Sequence, residues 1–285
     1  EAADYSSQPL AMGNTHQPTL TQAYYWLGET QYRQGAYDAA QASFLKYLAL
    51  ETSHESTTYA LANYNLGYIA FHQKAYTEAA NRFNAFLHNN NGIEAMVRAD
   101  AYNRLGDCAF RERAFQQATN YYRIAQQEQT SVGDYSLYQL AQVQGLQKAY
   151  NEKIQLLDQL TTRYPQSAYV PYGLYEKGRS LVLLNQPQAA IQTFSNLYQH
   201  YPEHPMGRKS ALEMGMLYNQ QDQIDAAIHS YQLVVKNYPG TDEARLALRD
   251  LKGIYVDGNR VDEYAAFTAQ LPGQMQLNVS EQDSL

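Results

Sequence analysis

A pattern of large, small, turn, small and large residues recurs down this chain at a spacing of 35 to 39 residues. That period constrains the fold more than any other feature. It first runs through Leu27-Gly28, a Gly35-Ala36-Tyr37 turn, Ala40 and Phe44. Leu66-Gly67 leads in the same order to Tyr76, Ala79 and Phe83, and Leu105-Gly106 leads to Phe115, Ala118 and Tyr122. Leu140-Ala141 leads to Tyr150, Lys153 and Leu157. Gly178 leads to Pro187, Ala190 and Phe194, and Gly215 leads to Ile224, Ala227 and Tyr231. A weaker seventh copy runs from Leu251 through Val261 to Phe267. Copies starting at 21, 60, 99, 134, 171, 208 and 245 are separated by 39, 39, 35, 37, 37 and 37 residues.

Each copy reads as two apolar-periodic helices joined by a short turn. Gly28, Gly67, Gly106, Gly178 and Gly215 fall inside the first helix, where glycine costs about 1 kcal/mol relative to alanine. Repeating that cost predicts a close approach. The expected partners are Ala40, Ala79, Ala118, Ala190 and Ala227 of the second helix, with larger residues interdigitating above and below. One hairpin cannot bury its apolar face alone, so neighbours must stack. The prediction is an all-α solenoid of about seven hairpins over residues 21–271, after a polar lead-in at 1–20 and before a polar tail at 272–285.

At these positions the chain resembles the tetratricopeptide repeat (TPR) family. Leu27, Leu66, Leu105 and Leu140 match the family's leucine, the five glycines its glycine, the alanines its second small residue and the Phe44 series its closing aromatic. Tyr164-Pro165, Tyr201-Pro202 and Tyr238-Pro239 match its terminal proline, and the residue before each proline is pushed out of α geometry. Copy four departs at Ala141 and Lys153, and copy seven at Lys252 and Tyr264. The resemblance implies a right-handed superhelix that binds partners and lacks enzymatic activity. The Arg163-Tyr164-Pro165 and Asn237-Tyr238-Pro239-Gly240-Thr241 endings look like TPR proteins of Gram-negative cell envelopes, of the outer-membrane-assembly lipoprotein and Tol-Pal-associated types. That likeness implies a periplasmic or outer-membrane-associated setting, with a cytoplasmic one as the alternative.

Composition narrows the classes further. A net charge of −7 opposes a nucleic-acid binder, which carries a basic footprint. No apolar run is long enough to cross a bilayer. The chain begins at Glu1 and not at methionine, which points to a processed or cut form. Cys108, the single cysteine, excludes an internal disulfide framework and reads as a small buried hydrophobe. In the tail, Ser280 to Asp283 has the form of a capping box opening a further repeat, and Asn278-Val279-Ser280 is a formal glycosylation triplet.

Catalysis finds little footing. The seven histidines are scattered, and His200 and His204, four apart, are separated by the helix-breaking Pro202. No nucleophile motif, phosphate loop, metal set or cofactor motif stands out.

The residues that do stand out are aromatic: 27 tyrosines against 8 phenylalanines. In TPR proteins the first helix of each pair lines a concave groove. The resemblance carries that role to Tyr25, Tyr32, Tyr64, Tyr68, Phe71, Phe110, Tyr135, Tyr138, Tyr172 and Tyr175, with Arg33, Arg111 and Arg179 on the same face. Tyrosine offers large rigid contact area and a hydroxyl at low entropic cost. The competing reading puts these rings in the core with only their hydroxyls wet. The family's carboxylate clamp is not reproduced. Tyr25, Glu29, Asn65, Asp100 and Arg104 stand at its positions, and only Asn65 and Arg104 fit.

The leading expectation is a non-catalytic scaffold holding a peptide or helix of a partner protein in a tyrosine-rich groove. Glycan or peptidoglycan binding by the same rings is one alternative. Self-association through the incomplete last copy is another.

Overall fold

The structure is a computed structural model and describes residues 19–273. Among the described residues it has fourteen helices and no strands. In chain order they are α1 (Leu20–Arg33), α2 (Tyr37–Leu50), α3 (Thr57–His72), α4 (Tyr76–His88), α5 (Ala95–Arg111), α6 (Phe115–Gln127) and α7 (Gly133–Leu146). There follow α8 (Tyr150–Arg163), α9 (Val170–Leu183), α10 (Pro187–His200), α11 (Pro205–Gln220), α12 (Ile224–Asn237), α13 (Asp242–Asp257) and α14 (Val261–Ala269). The fold is an all-α hairpin solenoid. It divides into two compact units, 1–147 and 148–285, at the turn between α7 and α8. The Asn278 triplet, the Ser280 capping box and nearly all of the lead-in lie outside the described residues.

The glycines do admit a close approach, but not from the alanines. A Cβ on Gly67 would lie 2.8 Å from the Phe83 ring, on Gly106 2.5 Å from Tyr122 and on Gly178 2.4 Å from Phe194. Gly28 meets Phe44, and Gly215 meets Tyr231, in the same way. The ring one helical turn beyond each alanine fills the notch, because a methyl is too short to cross between the helices. Ala40, Ala79, Ala118, Ala190 and Ala227 are fully buried beside it. In all five pairs sixteen residues separate the glycine from its ring.

The turn inside each hairpin also repeats. Gly35, Lys74, Arg113, Lys148, Asn185, Asp222 and Asn259 all adopt positive φ, between 53° and 74°. Only the first is glycine; Lys74, Arg113 and Lys148 hold a left-handed backbone at about 1–2 kcal/mol each, whereas Asn185, Asp222 and Asn259 are residues that tolerate it. Between hairpins, Tyr164, Tyr201 and Tyr238 take φ near −130° and ψ of 50–60° and end α8, α10 and α12 before their prolines. At the start, the Thr19 side chain caps α1 by accepting from the Gln22 N–H at 3.3 Å.

In the first unit, Tyr25, Phe44, Tyr47, Tyr64, Phe83 and Phe86 form the centre of a continuous core. Its first three hairpins each close with an aromatic pair across the turn. Tyr32 meets Tyr37 at 5.4 Å, Phe71 meets Tyr76 at 5.3 Å and Phe110 meets Phe115 at 5.8 Å between ring centroids. The second unit includes an aliphatic-rich cluster around Phe194 and Leu181 and another around Tyr231, Leu248 and Leu251.

Candidate partner-binding faces of the first helices

In the first unit the first-helix face is closed by its own polar network. The Glu29 carboxylate accepts from the Tyr25 hydroxyl at 3.0 Å and from the Asn65 amide at 2.5 Å, and Arg33 approaches it to 3.5 Å. One helix pair further on, Asp100 accepts from the hydroxyls of both Tyr64, at 2.6 Å, and Tyr68. Arg104 lies one turn beyond Asp100 on α5, with Nε 3.9 Å from it, and places its terminal nitrogen 2.9 Å from Asp107. Asp107 also accepts from Tyr122 at 2.6 Å and from Tyr135 at 2.8 Å. The Arg104 guanidinium sits 4.8 Å from the Tyr135 ring centroid.

These groups are buried, and burial sets their proton affinities. It pushes the Asp100 carboxyl above its ordinary value, with Arg104 and the two tyrosine hydroxyls pulling the other way. Burial, then the neighbouring carboxylates, drive the hydroxyls of Tyr25, Tyr64, Tyr68 and Tyr122 far upward. They stay protonated and serve as donors. A buried carboxylate without such donors would cost several kcal/mol; here each one is supplied by its neighbours.

Tyr25, Tyr32, Tyr64 and Tyr68 are therefore core residues. Phe71 and Phe110 are half-buried in the hairpin pairs described above. Tyr135 and Tyr138 are half-buried on α7, while Arg33 and Arg111 are exposed at the ends of α1 and α5. Sequence reasoning did not place Glu29, Asp100 and Asp107 beneath the tyrosines. The spacing of Asp100, Arg104 and Asp107, four and three apart on one helix, was the available signal.

The second unit differs. Tyr172 is 40% exposed and lies edge-on to His204. The Tyr175 hydroxyl and the exposed Arg179 guanidinium both donate to Glu213 of the next first helix, at 3.0 and 2.9 Å. Burial and that carboxylate raise the Tyr175 hydroxyl to about 12. Lys153 of α8 pairs with Glu176 at 2.5 Å. Where α11, α12 and α13 meet, a cavity of about 600 Å³ opens, with Asp250, Asp257 and Gly253 in its lining. None of its residues was singled out from sequence as a site. The signal was Gly253, one place past the register of the notch glycines.

Among the described residues no cluster of His, Cys, Asp or Glu could hold a metal ion, and no helix is long and apolar enough to cross a membrane. The fold and these faces define a helical-hairpin repeat protein. Residues 135–167, 172–204 and 210–241 match one tetratricopeptide repeat family, and residues 21–54 match a second. The chain carries tetratricopeptide repeats, the repeats of proteins that bind protein or peptide partners.

Solved structures share the fold at low identity. The C-terminal part of a TPR repeat-containing protein from Cytophaga hutchinsonii aligns with a TM-score of 0.65 and 15% identity, over 80% of this chain and 87% of that one. PilF of Pseudomonas aeruginosa aligns with a TM-score of 0.54 and 17% identity, over 78% and 94%. YrrB, described as a TPR protein with an unusual peptide-binding site, aligns with a TM-score of 0.52 and 17% identity, over 65% and 88%. No curated protein matches the chain.

Proposed function

We propose that this chain is a non-catalytic scaffold that holds a peptide or a helix of a partner protein against its first helices, chiefly α9, α11 and α13. The observation that carries this reading is the contrast between the two units. The first spends its tyrosine hydroxyls on its own buried carboxylates, whereas the second leaves Tyr172 and Arg179 of α9 and Met216 of α11 exposed and has an open cavity against α13. An exposed ring and an exposed guanidinium on the same helix supply an aromatic anchor and a charged contact, the residue types that dominate binding energy at interfaces.

The test is binding of the full chain to an array of random twelve-residue peptides, compared with a Tyr172→Ala, Arg179→Ala double variant. Loss of at least about tenfold in retained peptide, with helicity unchanged, is the expected result. Equal retention by the two proteins removes the site from α9. Retention of glycans but of no peptide, on a parallel glycan array, would replace the reading with sugar binding.

A periplasmic or outer-membrane-associated setting belongs to the same proposal. Its support is the likeness of the Tyr-Pro endings to envelope TPR proteins, and fractionation of cells that make the protein naturally tests it.

A further inference from the structure

We propose that the cavity between α11, α12 and α13 takes the side chain of a lysine or arginine from the bound peptide. This rests on the peptide-binding reading above and adds the chemistry of the residue recognised.

The neighbouring layer of the same unit holds an ion pair between two first helices. There Arg179 of α9 sends its guanidinium across to Glu213 of α11, 2.9 Å away. Advancing both residues by the repeat spacing of 37 turns Glu213 into Asp250 and Arg179 into Met216. The carboxylate is kept and the cation is lost. One further repeat turns Met216 into Gly253, where an added Cβ meets no atom within 4 Å. The equivalent of Arg179 is Met216 opposite Asp250 and open space at Gly253 one repeat later, and Gly253 lies with Asp250 in the lining of one cavity.

The lining suits the missing group. Asp222, Asp250 and Asp257 face a single cation, Arg249. Asp250 accepts from the Tyr231 hydroxyl at 3.3 Å and is met at 3.1 Å by Arg249, its neighbour on the helix, whose side chain is 66% exposed. An exposed adjacent arginine is held weakly and can yield to an incoming one. Asp222 is fixed by its left-handed turn conformation, and Asp257 ends α13. Ile224 and Ile254 supply apolar wall along which the methylene stem of lysine or arginine lies while its head reaches the carboxylates. About 600 Å³ falls within the usual size of ligand pockets, enough for one long side chain and the backbone that carries it.

The experiment uses the full chain and oriented random decapeptide pools fixed at the centre as Arg, Lys, Glu or Ser. The Arg and Lys pools should be retained at least about tenfold over the Glu and Ser pools, the gain of one charge-assisted contact. Asp250→Asn with Asp257→Asn should abolish that preference. Gly253→Leu, whose Cβ meets no atom within 4 Å, should do the same with helicity unchanged. Equal retention of all four pools overturns the cation assignment but leaves peptide binding standing, and retention of no pool overturns both. A preference that survives Gly253→Leu moves the recognition out of this cavity and overturns the inference. Free arginine competing as well as the Arg pool would make it a small-cation site and overturn the peptide assignment.

Discussion

Arg104 meets Asp107 at 2.9 Å with only 4% of its side chain exposed. The pair is charged, desolvated and enclosed by the hydroxyls of Tyr122 and Tyr135. Such a network holds the first-helix face of the first unit shut, and removing one member leaves the others buried without a partner. Tyr68→Phe, which takes one donor from Asp100, should lower stability by about 1–3 kcal/mol. Tyr172→Phe, at an exposed ring, should stay within about 0.5 kcal/mol. Urea unfolding distinguishes them, and similar losses in both would contradict the division between closed and open faces.

The proton affinity of Asp100 gives a signed expectation. Its folded carboxyl lies above the ordinary value of 3.8 because burial penalises the charge. The native state therefore keeps a proton that the unfolded chain has already released. The stability this supplies is complete below 3.8 and is lost as pH rises through the folded value. The stability of the native protein minus that of Asp100→Asn should fall as pH rises from 3.8 upward. A difference that is flat or rises over that range, in parallel urea titrations, would sink the assignment.

Glycines of two kinds should respond oppositely to alanine. Gly178→Ala drives a Cβ to 2.4 Å from the Phe194 ring and should cost about 1–3 kcal/mol, overcoming the helix-propensity gain. Gly253→Ala enters open space and should stabilise by about 0.5–1 kcal/mol. Gly207→Ala should be worst, since its Cβ would lie 1.9 Å from the backbone oxygen of Tyr201, which cannot rotate away. Thermal unfolding of the three variants gives the order directly.

Cys108 is 2% exposed, and burial, reinforced by the Asp107 carboxylate, pushes its thiol up to about 12. Because the thiolate is the reactive form, iodoacetamide should label it only after denaturation. Labelling of the native protein at the rate of a free thiol would show that α5 opens.

Lys74 holds φ at 60° in the turn between α3 and α4. Lys74→Gly relieves the left-handed strain but adds freedom to the unfolded chain. The net expectation is a gain of up to about 1 kcal/mol. A loss in calorimetry would show that the lysine side chain contributes more than its backbone costs.

Much of the architecture could be read from residue order. The hairpins, the Tyr-Pro stops and the Thr19 cap all rest on local chemistry, which short stretches of sequence carry. The left-handed turns at Lys74 and Arg113 could not be read, because neither residue favours that conformation and only stacking enforces it. Nor could the inward aim of Tyr64 and Tyr68. They bond to Asp100, 36 and 32 residues away, and helical spacing alone does not say whether a tyrosine face meets solvent or the next hairpin. The cavity at Gly253 was hidden for a related reason. An absence of side chains shows only when the neighbours that fail to fill it are in place.

The separation of sixteen residues between each notch glycine and its ring has a further consequence. Length is frozen within a hairpin and free to drift between hairpins. The connections at 51–56 and 89–94 are therefore the places where inserted sequence leaves the gauge of the fold untouched. One added residue between Gly106 and Tyr122 would turn the ring away from its socket and unseat that tier.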